Sequence, residues 1–337
     1  MVEIAKVELT RRAFAGVAAT GAFMATAPAA ALVASGETER AAPAPEKSSS
    51  FWPNGARLAI SISLMFEGGG QPISGAGGAL PEPIKPGFPD QPTNAFFDYG
   101  VNEGIPRALD LFDKHEIKVT SFMISKAIEK HPDLAREIVR RGHEPGAHGT
   151  TWSASYDLPR EQEKAFIKES ADTIRRITGV QPVGWNAYFM RNSISISETL
   201  QDLGFLYSID EPSRDEPFII PVRGRDFAMV PYTIHMNDMV FPFQGYDPHA
   251  HEQALRDEFD QLYTEGSTKR RMMVIGMHDR LSGHANRIHA LDRFFTYAKS
   301  HDGVWFARKD EIARWALSQR QFTPIVRRGP ATETGLP

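Results

Sequence analysis

The sequence predicts an α/β protein built on a parallel sheet, closed into a barrel in preference to an open doubly wound sheet. Three observations predict it. Apolar runs of strand length alternate with amphipathic runs of helical period roughly seven times between residues 58 and 317, which implies parallel strands joined by helical crossovers. The 337 residues, 41% hydrophobic and 24% charged, suffice for one large core. No glycine-rich turn after the first strand also opens a helix, which removes the usual mark of a dinucleotide-binding open sheet.

In chain order, residues 1–36 read as an export signal of the twin-arginine type. Thr10-Arg11-Arg12-Ala13-Phe14 leads into an uncharged, alanine-rich stretch, with small residues at Ala29 to Ala31 and Ala34-Ser35 offering cleavage sites. Its weak apolar character argues against a stable membrane anchor. The expected location is therefore periplasmic or secreted. Residues 37–50, rich in Ala, Pro and Ser, form a flexible linker. The barrel is expected over 51–318 and a frayed tail over 319–337.

Within the barrel, 58–64 is a strand. Gly68-Gly69-Gly70 then opens a long Pro/Gly loop to residue 97, of a length suited to a lid or binding loop. Ile105, Leu109 and Phe112 mark a helix over 103–115. A strand over 119–124, a helix over 132–141 with proline in its first turn, and a strand over 145–148 follow. The helix over 159–178 repeats Phe166, Ser170, Ile174 and Ile177 along one face, and Gly179 closes it. Next come a strand at 182–185, a helix at 195–203 and a strand at 206–210. Residues 219–222 and 227–230 read as an inserted hairpin. A helix over 249–265, a strand over 272–277, a helix over 287–300, a strand over 304–306 and a helix over 309–317 complete the series.

A net charge of −4 gives no reason to expect nucleic acid as partner, and the lack of cysteine removes thiolate metal sites and cysteine nucleophiles. Chemistry-bearing residues instead gather where strands run out: Phe66-Glu67-Gly68, Arg141-Gly142-His143-Glu144-Pro145-Gly146-Ala147-His148, Gly184-Trp185 with Arg191, and Gly276-Met277-His278. Parallel α/β sheets place their sites at such ends. Glu67, desolvated at the end of an apolar strand, is expected to have a raised pKa suited to a general base. His148 can donate a hydrogen bond to a substrate carbonyl or act in acid/base work, and His278 can serve as general acid. Aromatic residues share these loops: Trp152, Tyr156, Trp185, Tyr188, Phe189, Phe241, Phe243 and Tyr246. Of these, Trp152, Trp185, Tyr188 and Phe243 are the candidate substrate-binding residues, favouring a small, flat or apolar ligand.

These segments resemble the polysaccharide deacetylase (NodB-homology, carbohydrate esterase family 4) superfamily. The resemblance is to its allantoinase-like and peptidoglycan deacetylase-like branch. It extends through Phe97-Asp98-Tyr99-Gly100, Pro231-Tyr232-Thr233, Asn237-Asp238-Met239 and Asp302-Gly303-Val304-Trp305-Phe306. It implies an irregular (β/α)7 barrel of the NodB-homology type, with the inserted hairpin and long rim loops, and hydrolysis of amide bonds other than peptide bonds. It also implies structural duty for His143, a proton-donating role for His278, and contact of Arg191 with the first-motif carboxylate or an anionic substrate group. The metal-dependent members carry two adjacent aspartates at the first motif and two histidines four residues apart at the second. Here those positions read Glu67-Gly68 and His148 with Trp152, and neither glycine nor indole offers a side-chain ligand. The cofactor is therefore expected to be either none or a single divalent metal such as Zn²⁺ on non-standard ligands, drawn from His148, His235, Asp238 and Asp98.

The function this implies is an exported hydrolase of a small amide or cyclic amide, working by Glu67, His278, His148 and Arg191. Two alternatives stand beside it: a metal-dependent N-deacetylase of cell-envelope or chitin-type carbohydrate, and a non-catalytic ligand-binding relative. The expected partner is a small-molecule amide or amino-sugar substrate, with homo-oligomerisation left open.

Overall fold

Strand β1 (Leu58–Phe66) is the spine of the molecule, and all nine of its residues are buried, as a parallel strand covered on both faces must be. The structure, a computed structural model, describes residues 51–75, 84–239 and 247–327. The expected signal and linker, the tail beyond 327, and Phe241, Phe243 and Tyr246 lie outside the described residues. Strand β8 (Met272–His278) pairs with β1 along one side, from Ala59↔Met272 to Met65↔His278. On the other side β9 (Val304–Phe306) covers the first part of β1 and β2 (Thr120–Met123) the last. The sheet continues in parallel through β3 (Glu144–Ala147), β4 (Gly184–Trp185) and β5 (Tyr207–Ser208). It ends in the hairpin of β6 (Phe218–Val222) and β7 (Arg225–Met229), with β7 parallel to β5 and antiparallel to β6.

The outcome is a curled half-barrel. Between β7 and β8 the described residues form no further strand, and among them the pairing Asn237↔Gly276 bridges the gap. Side-chain alternation along β1 separates two cores. Ala59 and Met65 face the interior with Phe122, Tyr207, Ala228, Met272 and Val274. Leu58, Ile60, Ile62, Leu64 and Phe66 face outward, where Leu109, Phe112, Ile138, Ile174 and Phe294 of the surrounding helices cover them.

Those helices are α1 (Gln91–Tyr99), α2 (Ile105–Lys114), α3 (Ser125–Lys130), α4 (Pro132–Arg140), α5 (Arg160–Thr178), α6 (Ile196–Asp202), α7 (Pro248–Glu265), α8 (Asp279–Ser282), α9 (Ala285–Lys299) and α10 (Lys309–Ser318). Gly179 ends α5 in the left-handed region at φ 78°, as its position predicts. Two expectations need correction. The loop expected to residue 97 contains α1, started by Asp90, whose carboxylate accepts the Thr93 amide at 3.2 Å and its hydroxyl at 2.6 Å. The expected tail is anchored at its start: the Ile219 amide donates to Pro324 O at 2.8 Å and the Val326 amide to Ile219 O at 2.8 Å.

Candidate active site

The C-terminal ends of β1, β3 and β8 deliver Glu67, His148 and His278 to one point. His148 Nε2 lies 3.2 Å from Glu67 Oε1, and His278 Nε2 lies 3.8 Å from the same oxygen. The other oxygen, Oε2, accepts a hydrogen bond from Arg280 Nη1 at 2.5 Å. Arg280 sits on α8, two residues past His278, and sequence reasoning missed it. The only available signal was an Asp-Arg pair directly after the last motif.

Each group is held from behind. His148 Nδ1 faces the Asn186 carbonyl at 2.9 Å. Asn186 O and the Glu67 carboxylate, both hydrogen-bond acceptors, thus face the two ring nitrogens of His148. His278 Nδ1 faces Asp238 Oδ1 at 2.6 Å, and Asp238 Oδ2 also accepts the His278 amide and the Ser282 hydroxyl, each at 2.7 Å. Asp279 Oδ2 accepts the amides of Glu67 and Gly68, both at 2.8 Å, fixing the end of β1.

Burial pushes the Glu67 carboxyl up, but Arg280, His278 and His148 outweigh it and hold the group well below the usual carboxylate range. This corrects the expectation of a raised pKa: the carboxylate is desolvated, yet it is not alone. For His278 burial pushes down while Asp238 and Glu67 pull up, and the net direction is upward. Both shifts therefore favour the charged form, carboxylate and imidazolium, in one cleft.

Among the described residues that cleft is a cavity of about 420 Å³, lined at its base by Glu67, His148, Asn186, Asn237 and His278, and on its walls by residues such as Met65, Trp152, Phe189, Met190, Ile234 and Met239. Trp152 packs edge-on to Phe97 (6.1 Å) and Tyr188 (4.9 Å), with Phe189 at 5.6 Å.

Several expected site residues are placed elsewhere. Arg191 is exposed at the rim, with its guanidinium 5.9 Å from the Phe189 ring, and Arg280 makes the contact with Glu67 expected of it. Trp185 is buried in the outer core against Phe205, because β4 turns it toward the helices. Tyr188 supports Trp152 from outside the cavity lining. His235 pairs with Glu258 at 3.1 Å over a separate surface cavity. Asp98 is exposed on α1. Asp238 lies inside the site but is consumed by His278 and Ser282.

The residues present do not fit a divalent metal ion. Among the described residues no three His, Cys, Asp or Glu side chains are grouped as a metal would require. A Cβ on Gly68 would stand 2.6 Å from the Phe97 carbonyl oxygen and 2.9 Å from Val101 Cγ1, so the backbone is packed against α1 with no room for a ligating side chain. The Arg280 guanidinium, 4.1 Å from the Phe97 ring, already supplies the positive charge beside Glu67.

A half-barrel with a carboxylate, two histidines and an arginine at its strand ends defines a hydrolase-type α/β enzyme. Comparison with known proteins is specific. The polysaccharide deacetylase family profile matches residues 87–208. A probable polysaccharide deacetylase from Pseudomonas aeruginosa superposes with a TM-score of 0.74 at 33% identity, covering 81% of this chain and 95% of that one. Puue allantoinase matches equally, with a TM-score of 0.74, 33% identity and coverage of 81% and 94%. The peptidoglycan deacetylase of Helicobacter pylori is 26% identical over 244 residues, 62% of this chain and 82% of its own. The chain belongs to the polysaccharide deacetylase superfamily, and it is a hydrolase of carbon–nitrogen bonds other than peptide bonds.

Proposed function

We propose that the protein hydrolyses a small, preferably cyclic, amide by acid–base catalysis between Glu67 and His278, without a metal step, after export by the twin-arginine route. The observation that carries this reading is the pair of side chains 3.8 Å apart whose surroundings shift them in opposite directions, Glu67 toward the carboxylate and His278 toward the imidazolium. Hydrolysis needs one group in its base form and another in its acid form at the same pH. Water attacks the carbonyl carbon and gives its proton to Glu67. His148, with Nε2 at the cavity base, donates to the oxygen that becomes negative. As the C–N bond breaks, His278 Nε2 gives its proton to the leaving nitrogen. Return of the proton from Glu67 to His278 resets the pair.

The strong depression of Glu67 makes it a weak base, so an activated carbonyl is favoured over an unstrained one. A mostly apolar cavity suits a compact ring better than a glycan, and the match to an allantoinase supports the same choice. The match to a peptidoglycan deacetylase favours the alternative, an N-acetylated sugar of the cell envelope. A panel of allantoin, hydantoin, acetamide and N-acetylglucosamine oligomers, assayed on protein treated with chelator, separates them. Turnover of a cyclic amide that persists after chelation, and falls at least about 10³-fold in Glu67→Gln, is expected. Acetate release from the sugar that requires added Zn²⁺ would overturn the proposal.

A further inference from the structure

One stretch of the cavity wall is backbone of unusual conformation. Phe189 and Met190 lie in the left-handed region, at φ 49° and 57°, the one adjacent pair of non-glycine residues there among the described residues. Two such residues in succession persist only where their surroundings over-determine them. Here a single carboxylate does so. Asp210 Oδ1 accepts Asn186 Nδ2 at 2.7 Å and the Ala187 amide at 3.0 Å, while Oδ2 accepts Asn192 Nδ2 and the Ser208 hydroxyl, each at 3.0 Å. The loop is thereby gripped at 186–187 and again at 192. The intervening residues fold into a tight turn, with the Met190 amide on Ala187 O at 2.9 Å and the Arg191 amide on Tyr188 O at 3.0 Å.

The turn leaves Phe189 54% exposed although it lines the cavity, and it sets the ring 5.6 Å from Trp152 at 51°. Met190 forms the adjoining wall. An aromatic ring held out at the mouth of a cavity, at the cost of backbone strain, has a use only for what enters.

We propose that residues 188–191 form a rigid specificity lip, with Phe189 and Met190 selecting flat, weakly hydrated amide rings and Asp210 as the positioning residue that holds them, an assignment that rests on the cyclic-amide function proposed above. The wedge between Phe189 and Trp152 accepts a planar face. A hydrated sugar ring would lose water from its hydroxyls against the Phe189, Met190 and Ile234 walls without polar partners in return. The same carboxylate fixes Asn186, whose carbonyl seats His148, so the lip and the catalytic histidine are set from one point.

The test compares native protein, Phe189→Ala, Asp210→Asn and their combination, with hydantoin as planar probe and acetamide as small acyclic probe. In Phe189→Ala, kcat/KM for hydantoin is expected to fall about tenfold through KM, with a much smaller change for acetamide. Asp210→Asn is expected to raise the hydantoin KM similarly, and adding Phe189→Ala to it to give little further loss, because both act through one lip. Should Asp210→Asn fail to fold, Asn192→Ala releases one end of the grip alone. Calorimetric titration of hydantoin into Glu67→Gln, with and without Phe189→Ala, reads binding apart from turnover. Binding weakened by Phe189→Ala in a protein that hydrolyses no amide would sustain the lip and sink the hydrolase assignment. Hydrolysis with KM and Kd within twofold of native in Phe189→Ala would overturn the lip alone. Hydantoin that does not bind at all also overturns it.

Discussion

Two clusters of buried ionisable groups share the interior of this half-barrel, and they resolve their charges in opposite directions. At the rim, Glu67 and His278 are pushed toward neutrality by burial, but Arg280 and Asp238 stand within hydrogen-bond distance and both groups shift on balance toward the charged form. At the floor, beneath the N-terminal strand ends, burial wins. Glu144 is pushed up to about 8 although the Thr120 and Tyr207 hydroxyls and the Asp310 amide all donate to it. Lys309, fully buried, is pushed down to about 7, and its amine donates to Ser61 Oγ at 3.2 Å. Hydrogen bonds to neutral groups do not replace a fixed countercharge in a low-dielectric interior. The rim is built for charge and the floor tolerates its loss.

Removing the cation from each cluster gives the largest contrast. In Arg280→Met, Glu67 is left buried without its main partner, and a loss of about 3–5 kcal/mol of unfolding free energy is expected in urea titrations at pH 6. In Lys309→Met a group that burial already disfavours is exchanged for an apolar side chain of similar length, and the change is expected to stay within about 1 kcal/mol or to stabilise. Equal losses in the two variants would erase the distinction between rim and floor.

The second contrast is read in catalysis. In the proposed mechanism His278 is the acid, so activity is expected to fall as pH rises through its pKa, which lies above the ordinary 6.5 because Asp238 and Glu67 outweigh burial. In Asp238→Asn burial and Arg280 still push down while Glu67 alone is left to pull up, and the alkaline limb of kcat/KM is expected to move to lower pH. The same mechanism assigns the acid limb to Glu67, and that limb is expected to stay below the ordinary carboxylate value in both proteins. An alkaline limb that does not move would remove Asp238 from the tuning of His278.

This opposition bears on what could be read from sequence. Strand ends were legible because apolar runs stop abruptly at Phe66 and Met277, with a short strand expected to end at His148 between them, and the residues at those ends must then meet above one sheet. The convergence of Glu67, His148 and His278 follows from that topology. Which arginine joins them does not: Arg191 and Arg280 each follow a strand end, and only the turn of a four-residue helix points one of them inward. Because Arg280 was hidden, the direction of the Glu67 shift was hidden with it. Helix α1 was masked by surrounding Pro and Gly, although Asp90, with proline two residues on, offered a start signal. The half-open sheet was illegible for a related reason, since residues 230–239 have strand-like neighbours but make one bridge only.

The smallest effect tests the floor by itself. Glu144 is protonated in the folded protein up to about 8, whereas in the unfolded chain it ionises near 4.5. Between those values the folded state holds the extra proton, so its contribution to stability is complete below 4.5 and is lost as pH rises through about 8. The rim is the same in native protein and in a variant changed only at Glu144, so its own titration cancels from the difference between them. Glu144→Gln cannot titrate. The difference in unfolding free energy between native protein and Glu144→Gln is therefore expected to shift in favour of the variant by on the order of 2 kcal/mol as pH rises from about 5 to about 6.5. A difference that stays flat across that interval would mean that the three donors around Glu144 keep it ionised, and that the floor, like the rim, is built for charge.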